Sequence, residues 1–154
     1  TPAASAPDQT RAILAWKRTP STMLCTTSFG GVASLSTAVR YPGFYGRLLL
    51  QSGSFAFSDI GHQNKRGPAF DPVVKFMNRF RENPMMVAEK AFISCGMHES
   101  LIYENRSLVP MLQATEMELR YVEARDGHNW ENWRDRLREG LAWLYPGPLR
   151  MVYE

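Results

Sequence analysis

One serine of this 154-residue chain lies where a nucleophile of acyl transfer could lie. Ser28 falls within segment 26–31 (TTSFGG), between an apolar run and a helix-like pattern. A serine at a sharp strand-to-helix turn stands clear of the sheet, and small residues after it let strand and helix approach each other. Thr26 occupies the first glycine position of the usual G-x-S-x-G pattern, so the match is imperfect. The segment predicts a nucleophile elbow.

A histidine and a carboxylate could complete a triad with this serine. His128 follows the last predicted strand and could take the Ser28 proton as a general base. Glu99 follows the strand before it and could orient the imidazole. Asp126 is a competing acid, although its position two residues before His128 makes the orienting geometry harder. The chain order serine, acid, histidine is the order found in α/β-hydrolases.

The residues around these three suggest the rest of a site. The backbone N–H of Phe29, at the predicted helix start, is a candidate oxyanion donor. Gln51, Ser52 and Trp130 are expected to line the substrate pocket, because they lie in loops near the same edge. No CxxC and no paired Cys/His spacing occurs, so neither a structural zinc site nor another cofactor is expected. His62 and His98 have no predicted role.

Four short apolar runs alternate with helical patterns, which favours a parallel α/β sheet with flanking helices. The predicted strands are 23–27, 47–51, 90–95 and 119–123. A helix follows Ser28, and another begins at Asp71-Pro72 with Asp71 as its side-chain cap. Two more helices cover about 104–117, kinked or split at Pro110, and about 130–145.

Composition excludes several classes of protein. The net charge is +3, but charges of both signs are scattered, so no nucleic-acid partner is expected. No apolar run is long enough for a transmembrane helix. Cys25 and Cys95 lie in apolar runs and are expected to be buried free thiols, which favours a reducing compartment such as the cytoplasm.

The motifs together resemble the enterochelin (enterobactin) esterase family, within the esterase-D-like α/β-hydrolases. The resemblance covers about 10–145 and rests on these segments: 28–33 (SFGGVA), 41–46 (YPGFYG), 51–55 (QSGSF), 96–105 (GMHESLIYEN) and 127–137 (GHNWENWRDRL). It implies ester hydrolysis, including cleavage of the trilactone backbone of catecholate siderophores, with Ser28 as nucleophile, His128 as base and Glu99 as acid. Relatives of that family include feruloyl esterases and mycolyltransferases.

The resemblance also implies that part of the fold precedes this chain. Members of the family carry the first strands of the sheet, and the loop with the second oxyanion donor, before the elbow. We therefore expect residues 10–148 to be the C-terminal portion of an α/β-hydrolase domain, completed by an N-terminal part of the same protein. Residues 1–9 form an irregular lead-in that precedes a helix over 10–17, and 149–154 form a tail. A non-catalytic binding module and an acyltransferase remain alternatives.

Overall fold

Four parallel strands form one sheet, in the order in which they occur along the chain. The computed structural model describes residues 22–61 and 67–147. Its strands are β1 (Met23–Thr27), β2 (Arg47–Gln51), β3 (Lys90–Gly96) and β4 (Glu118–Ala124). All four strands predicted from the sequence are present, two of them one or two residues longer. The predicted helix at 10–17, the lead-in, the tail and His62 lie outside the described residues.

Helices connect the strands and cover both faces of the sheet. They are α1 (Phe29–Arg40), α2 (Asp71–Glu82), α3 (Ile102–Gln113) and α4 (Trp130–Leu144), with a short 3-10 turn (Pro68–Phe70) before α2. Helices α1, α2 and α3 share one apolar core with Leu48 and Leu50 of β2. Helix α4 packs on the opposite face, where Leu144 meets Leu49 and Phe92. Alternate residues of β2 therefore serve two separate cores.

Two details of the helices differ from the sequence prediction. Asp71 is the first residue of α2 and makes no side-chain cap, because the 3-10 turn already leads the chain into the helix. Its carboxylate in the first turn still complements the helix dipole. Pro110 does not split α3, which runs through it and ends at Gln113. Arg106, whose carbonyl would accept from residue 110, is exposed, so water can replace the missing backbone bond.

The two cysteines differ in burial. Cys95 on β3 is buried as expected, whereas Cys25 is exposed, so the expectation of a buried thiol was wrong for Cys25 in the described structure. Cys25 pairs with Leu49 and shares its face of the sheet, but α4 packs mainly on β2 and β3 and leaves Cys25 on the outer strand β1 uncovered. Of the helices in the described residues, none has the length and apolar character needed to cross a membrane.

Candidate active site

Three of the predicted site residues meet at one edge of the sheet. Ser28 follows β1, Glu99 lies three residues after β3, and His128 lies four residues after β4. Because all four strands are parallel, their carboxyl ends point to the same edge. That edge is where open α/β sheets carry their ligand sites. The fold thus gathers side chains that are up to 100 residues apart in the chain.

Ser28 has the strained backbone of a sharp strand-to-helix turn. Its φ is 53° and its ψ is −127°, in a region that residues with a Cβ rarely adopt. Hydrogen bonds hold this conformation on both sides: the Ser28 N–H donates to the Gln51 carbonyl (2.9 Å), and the Ser28 carbonyl accepts from Gly31 (3.0 Å) and Ser54 (3.1 Å). The elbow geometry that segment 26–31 predicts is present in the structure.

Thr26 fits the elbow despite standing where the motif has glycine. Its hydroxyl lies 2.9 Å from the Ser34 hydroxyl on α1, so the polar group is hydrogen-bonded. The residue opposite is Gly30, where an added Cβ would come within 3.1 Å of the Thr26 Cβ. The first glycine of the motif normally leaves space between strand and helix. Here Gly30 on α1 leaves that space instead.

Two hydrogen bonds link the three predicted catalytic side chains, one on each side of the imidazole. His128 Nε2 lies 2.9 Å from Ser28 Oγ, and His128 Nδ1 lies 2.7 Å from Glu99 Oε2. The Glu99 side chain is fully buried, whereas 38% of the His128 side chain is exposed. Of the two acids left open by the sequence, Glu99 is therefore the one that contacts the imidazole. Asp126 instead contributes its backbone carbonyl, which accepts from the His98 N–H.

Glu99 is held by three donors on its other oxygen. Oε1 accepts from Ser52 Oγ (2.6 Å), from the Gly96 N–H (2.7 Å) and from Asn132 Nδ2 (3.1 Å). Gly96 is required for this approach, because an added Cβ would lie 2.3 Å from the Asp126 carbonyl oxygen and 2.7 Å from Glu99 Oε1. Asn132 was not identified from the sequence. The sequence feature that could have identified Asn132 is its position three residues after Asn129, which caps α4 and fixes the direction of the first turn.

Two residues expected to line the pocket are buried behind the site instead. Gln51 and Ser52 are 2% and 0% exposed, so neither can touch a substrate in this structure. The cause is the path of the chain after β2: the Ser52 N–H donates to the Ser94 carbonyl (2.7 Å), and Gln51 Nε2 donates to the Trp133 carbonyl (2.8 Å). Both side chains therefore point into the protein interior at this edge of the sheet, and neither points into a substrate pocket.

Aromatic side chains flank the serine and the histidine. Phe29 is 52% exposed and packs edge to face on Phe70, with ring centroids 6.0 Å apart. Its N–H is the first of α1 and has no acceptor in a preceding helical turn. Trp130 begins α4 two residues after His128 and is 63% exposed. Across residues 22–61 and 67–147, no three His, Cys, Asp or Glu side chains cluster as metal ligands.

Comparison with known families finds one match over most of the chain. The model of the Esterase family, described as "Putative esterase", matches residues 8–144. The iron(III) enterobactin esterase of Dickeya dadantii (strain 3937) is 26% identical over 144 residues, which cover 82% of this chain and 30% of that protein. An acetyl esterase of Caldicellulosiruptor saccharolyticus is 29% identical over 55 residues, 36% of this chain and 21% of that protein.

Solved structures share the fold. The enterobactin esterase FES from Shigella flexneri, crystallised with 2,3-di-hydroxy-N-benzoyl-glycine, matches with a TM-score of 0.66 at 21% identity, over 84% of this chain and 33% of that one. The S-formylglutathione hydrolase FrmB from Staphylococcus aureus matches with a TM-score of 0.58 at 14% identity, over 79% and 50%. The expected α/β-hydrolase fold, a parallel sheet with flanking helices, is confirmed. The chain spans about a third of the length of its enterobactin esterase relatives.

Proposed function

The chain belongs to the esterase family, and from that membership we propose that it carries the catalytic residues of a serine ester hydrolase. The observation that supports this most is the hydrogen-bonded chain from Ser28 through His128 to Glu99. It places a strained serine, a half-exposed base and a buried carboxylate in the order that nucleophilic catalysis needs. A non-catalytic module would have no use for the unusual backbone of Ser28.

The proposed reaction proceeds through an acyl-enzyme. His128 Nε2 takes the Ser28 hydroxyl proton as Oγ attacks the ester carbonyl carbon, and Glu99 stabilises the resulting imidazolium. The bond from carbon to the alcohol oxygen then breaks, and the alcohol leaves with the proton from His128. Water, deprotonated by His128, attacks the acyl-enzyme and releases the acid. An alcohol in place of water would give acyl transfer by the same residues.

The developing oxyanion needs donors at the helix start. We assign one donor to the Phe29 N–H, which begins α1 directly after the nucleophile. The second donor is expected from the part of the protein outside this chain. The exposed rings of Phe29, next to Ser28, and of Trp130, two residues after His128, are proposed to contact the substrate. Gln51 and Ser52 are excluded from that contact by their burial.

A siderophore ester is the proposed substrate. Support comes from the relatives: the Dickeya protein is an iron(III) enterobactin esterase, and an enterobactin esterase of the same fold from Shigella flexneri has been crystallised in the presence of enterobactin. A net charge of +3 suits an anionic ligand, although it is small.

We further propose that 10–148 is the C-terminal portion of a larger domain. In the described residues β1 has a neighbour on one side only, which leaves a row of backbone groups unpaired at the other edge. A groove along α4 and its C-terminal end is likewise open, and its mainly apolar lining consists of Leu137, Leu141, Ala142 and Tyr145 with the side chains of Arg134 and Arg138. Both surfaces are of the kind that further strands and helices cover, and the relatives are about three times as long.

Fluorophosphonate labelling of the full-length protein tests the nucleophile. We expect one adduct, mapped to the peptide that contains Ser28, and its loss in Ser28→Ala together with at least a thousandfold loss of esterase activity. Ser107→Ala is the control, because its hydroxyl is on the surface of α3 and donates to the Tyr103 carbonyl. Labelling of a folded Ser28→Ala protein at another serine would overturn the assignment. Absence of labelling in the folded parent protein would favour the binding-module alternative.

A further inference from the structure

A buried polar network lies behind Glu99, on the side away from His128. Its members are Ser52, at the end of β2, and Trp133, in the first turn of α4. Ser52 is 0% exposed, and its φ of 49° lies in the region that favours glycine. A buried hydroxyl on a strained backbone is costly unless it has a specific partner. The proposed reaction as described above gives neither residue a role.

The direction of each hydrogen bond in this network is determined by its chemistry. Trp133 Nε1 lies 3.0 Å from Ser52 Oγ, and an indole N–H can only donate. Ser52 Oγ therefore accepts from Trp133, and its own proton is directed to Glu99 Oε1, 2.6 Å away. Glu99 Oε1 also accepts from Gly96 and Asn132, so three donors converge on one carboxylate oxygen. With three donors around it, Oε1 acts as a hydrogen-bond acceptor.

The accepting carboxylate of Glu99 in turn fixes the tautomer of His128. Since Glu99 Oε2 can only accept, His128 Nδ1 must donate across their 2.7 Å contact. In the neutral imidazole, Nε2 then has a free lone pair facing Ser28 Oγ. Trp133 also contacts the imidazole directly, edge to face, with ring centroids 5.0 Å apart. The indole of Trp133 thus contacts His128 directly and reaches Glu99 through the Ser52 hydroxyl.

We propose that Ser52 and Trp133 are positioning residues that hold the Glu99 carboxylate as a hydrogen-bond acceptor and thereby fix the His128 tautomer. The proposal rests on the proposed function for its catalytic consequence, but not for the hydrogen-bond chain itself. That chain runs from Trp133 through Ser52 to Glu99, where His128 donates from the other side and itself accepts from Ser28. The other titratable side chain facing Glu99 in the described residues is the Cys95 thiol on β3, whose pKa burial raises, so it remains neutral.

The test compares two matched tryptophan variants and one serine variant of the full-length protein. Trp133→Phe keeps the ring against His128 but removes the N–H that Ser52 accepts. Trp143→Phe is the control: it lies on the same helix, packs near Phe92, and belongs to the core on the far face of the sheet. Ser52→Ala removes the hydroxyl itself, and Ser52→Gly serves should Ser52→Ala fail to fold, because glycine accepts a φ of 49°.

Two readouts are measured for each variant: the pH profile of kcat/KM with a chromogenic ester, and the titration of His128 by NMR. Ser52→Ala removes one donor of Glu99, and Trp133→Phe removes the N–H that directs the Ser52 hydroxyl towards Glu99. Either change leaves Glu99 with more of its negative charge towards His128, so both the acid limb and the His128 titration move to higher pH. We expect kcat to fall about tenfold to a hundredfold in Ser52→Ala, with KM changed less than twofold, and to fall less in Trp133→Phe. Trp143→Phe is expected to change none of these.

The outcomes separate the two proposals. Folded Ser52 and Trp133 variants with the parent pH profile and the parent His128 titration would overturn the positioning role, even where the parent protein is a fully active esterase. The NMR titration needs no turnover. A shift in the Ser52 and Trp133 variants, absent in Trp143→Phe, therefore supports the hydrogen-bond chain even if Ser28 proves not to be a nucleophile.

Discussion

The surroundings of Glu99 hold its side chain in one position. Glu99 is fully buried, and both of its oxygens have directed partners. Gly96 donates its N–H to Glu99 and leaves no space for a side chain, since the Asp126 carbonyl lies where a Cβ would be. The acid is therefore held by the backbone at the end of β3 as well as by side chains.

Gly96→Ala is predicted to displace Glu99. The new Cβ would overlap the Asp126 carbonyl oxygen, a backbone atom that can move only with the loop carrying His128. We expect activity to fall at least tenfold and the free energy of unfolding to fall by about 1–3 kcal/mol, the usual cost of overpacking a buried site. Activity assays and chemical denaturation measure the two effects.

Gly147→Ala is the matched substitution, because an added Cβ there meets no atom of the described residues within 4 Å. Parent-like activity of Gly96→Ala would show that the loop after β4 yields to the new methyl group. The backbone would then not be what positions the acid.

Secondary-structure elements explain how much of the site could be predicted. The strand pattern was enough to place Ser28, Glu99 and His128 on one edge, because each follows a strand and the helical connections make those strands parallel. The burial of Gln51 and Ser52 could not be predicted. It depends on a positive φ at Ser52 and on a backbone bond to Ser94 on the neighbouring strand, and no local residue pattern specifies either.

The same limit applies to residues on helices and edges. The rotation of α4 that directs Asn132 and Trp133 to Glu99 and Ser52 is set by packing of Leu144 against the sheet, which sequence spacing alone does not fix. The exposure of Cys25 follows from the position of β1 at the sheet edge. An apolar run in the sequence does not show whether its strand lies at the edge or at the centre of a sheet.

An ion pair between elements gives a pH-dependent prediction. Arg106 on α3 forms a two-pronged pair with Glu123 on β4, with both N–O distances at 2.7 Å. The Arg106 hydrogen bonds lower the pKa of Glu123 below its ordinary value. The pair therefore stabilises the fold above the unfolded pKa of about 4.3, and that contribution is lost as the pH falls through the lower folded value.

Arg106→Gln is expected to lower the melting temperature at pH 7 by a few degrees at most, since the pair is at the surface. The difference from the parent should shrink in melts near pH 3, below the unfolded pKa of about 4.3. A double-mutant cycle with Glu123→Gln isolates the pair from the effects of each single change. An equal loss of stability at pH 7 and pH 3 would show that Arg106 acts through packing rather than through charge.

At the scale of the whole molecule, the two faces of the sheet are covered unequally. Three described helices share a core on one face, whereas α4 lies on the other. The open edge of β1, the exposed Cys25 and the groove on α4 all belong to the less covered side and edge. This asymmetry is the structural basis for the proposal that a preceding part of the protein completes the domain.

Thiol footprinting tests that proposal with a built-in control. If the preceding part covers the face beside β1, iodoacetamide should modify Cys25 slowly in the native full-length protein. It should modify Cys25 at least tenfold faster in a fragment limited to this chain, provided that circular dichroism shows the fragment to be folded. Cys95 is buried in β3 and should be unreactive in both until denaturant is added. Equal, fast labelling of Cys25 in both proteins would mean that the β1 face is open to solvent.

The backbone of Ser28 has a consequence for anyone who tries to improve this protein. A residue with a Cβ at a φ of 53° and a ψ of −127° costs about 1–3 kcal/mol, and glycine would relieve much of it. Selection for thermal resistance alone would therefore reward replacement of the proposed nucleophile. A directed-evolution campaign on this scaffold therefore has to measure turnover in every round. At this position a substitution that raises the stability of the protein would remove its activity.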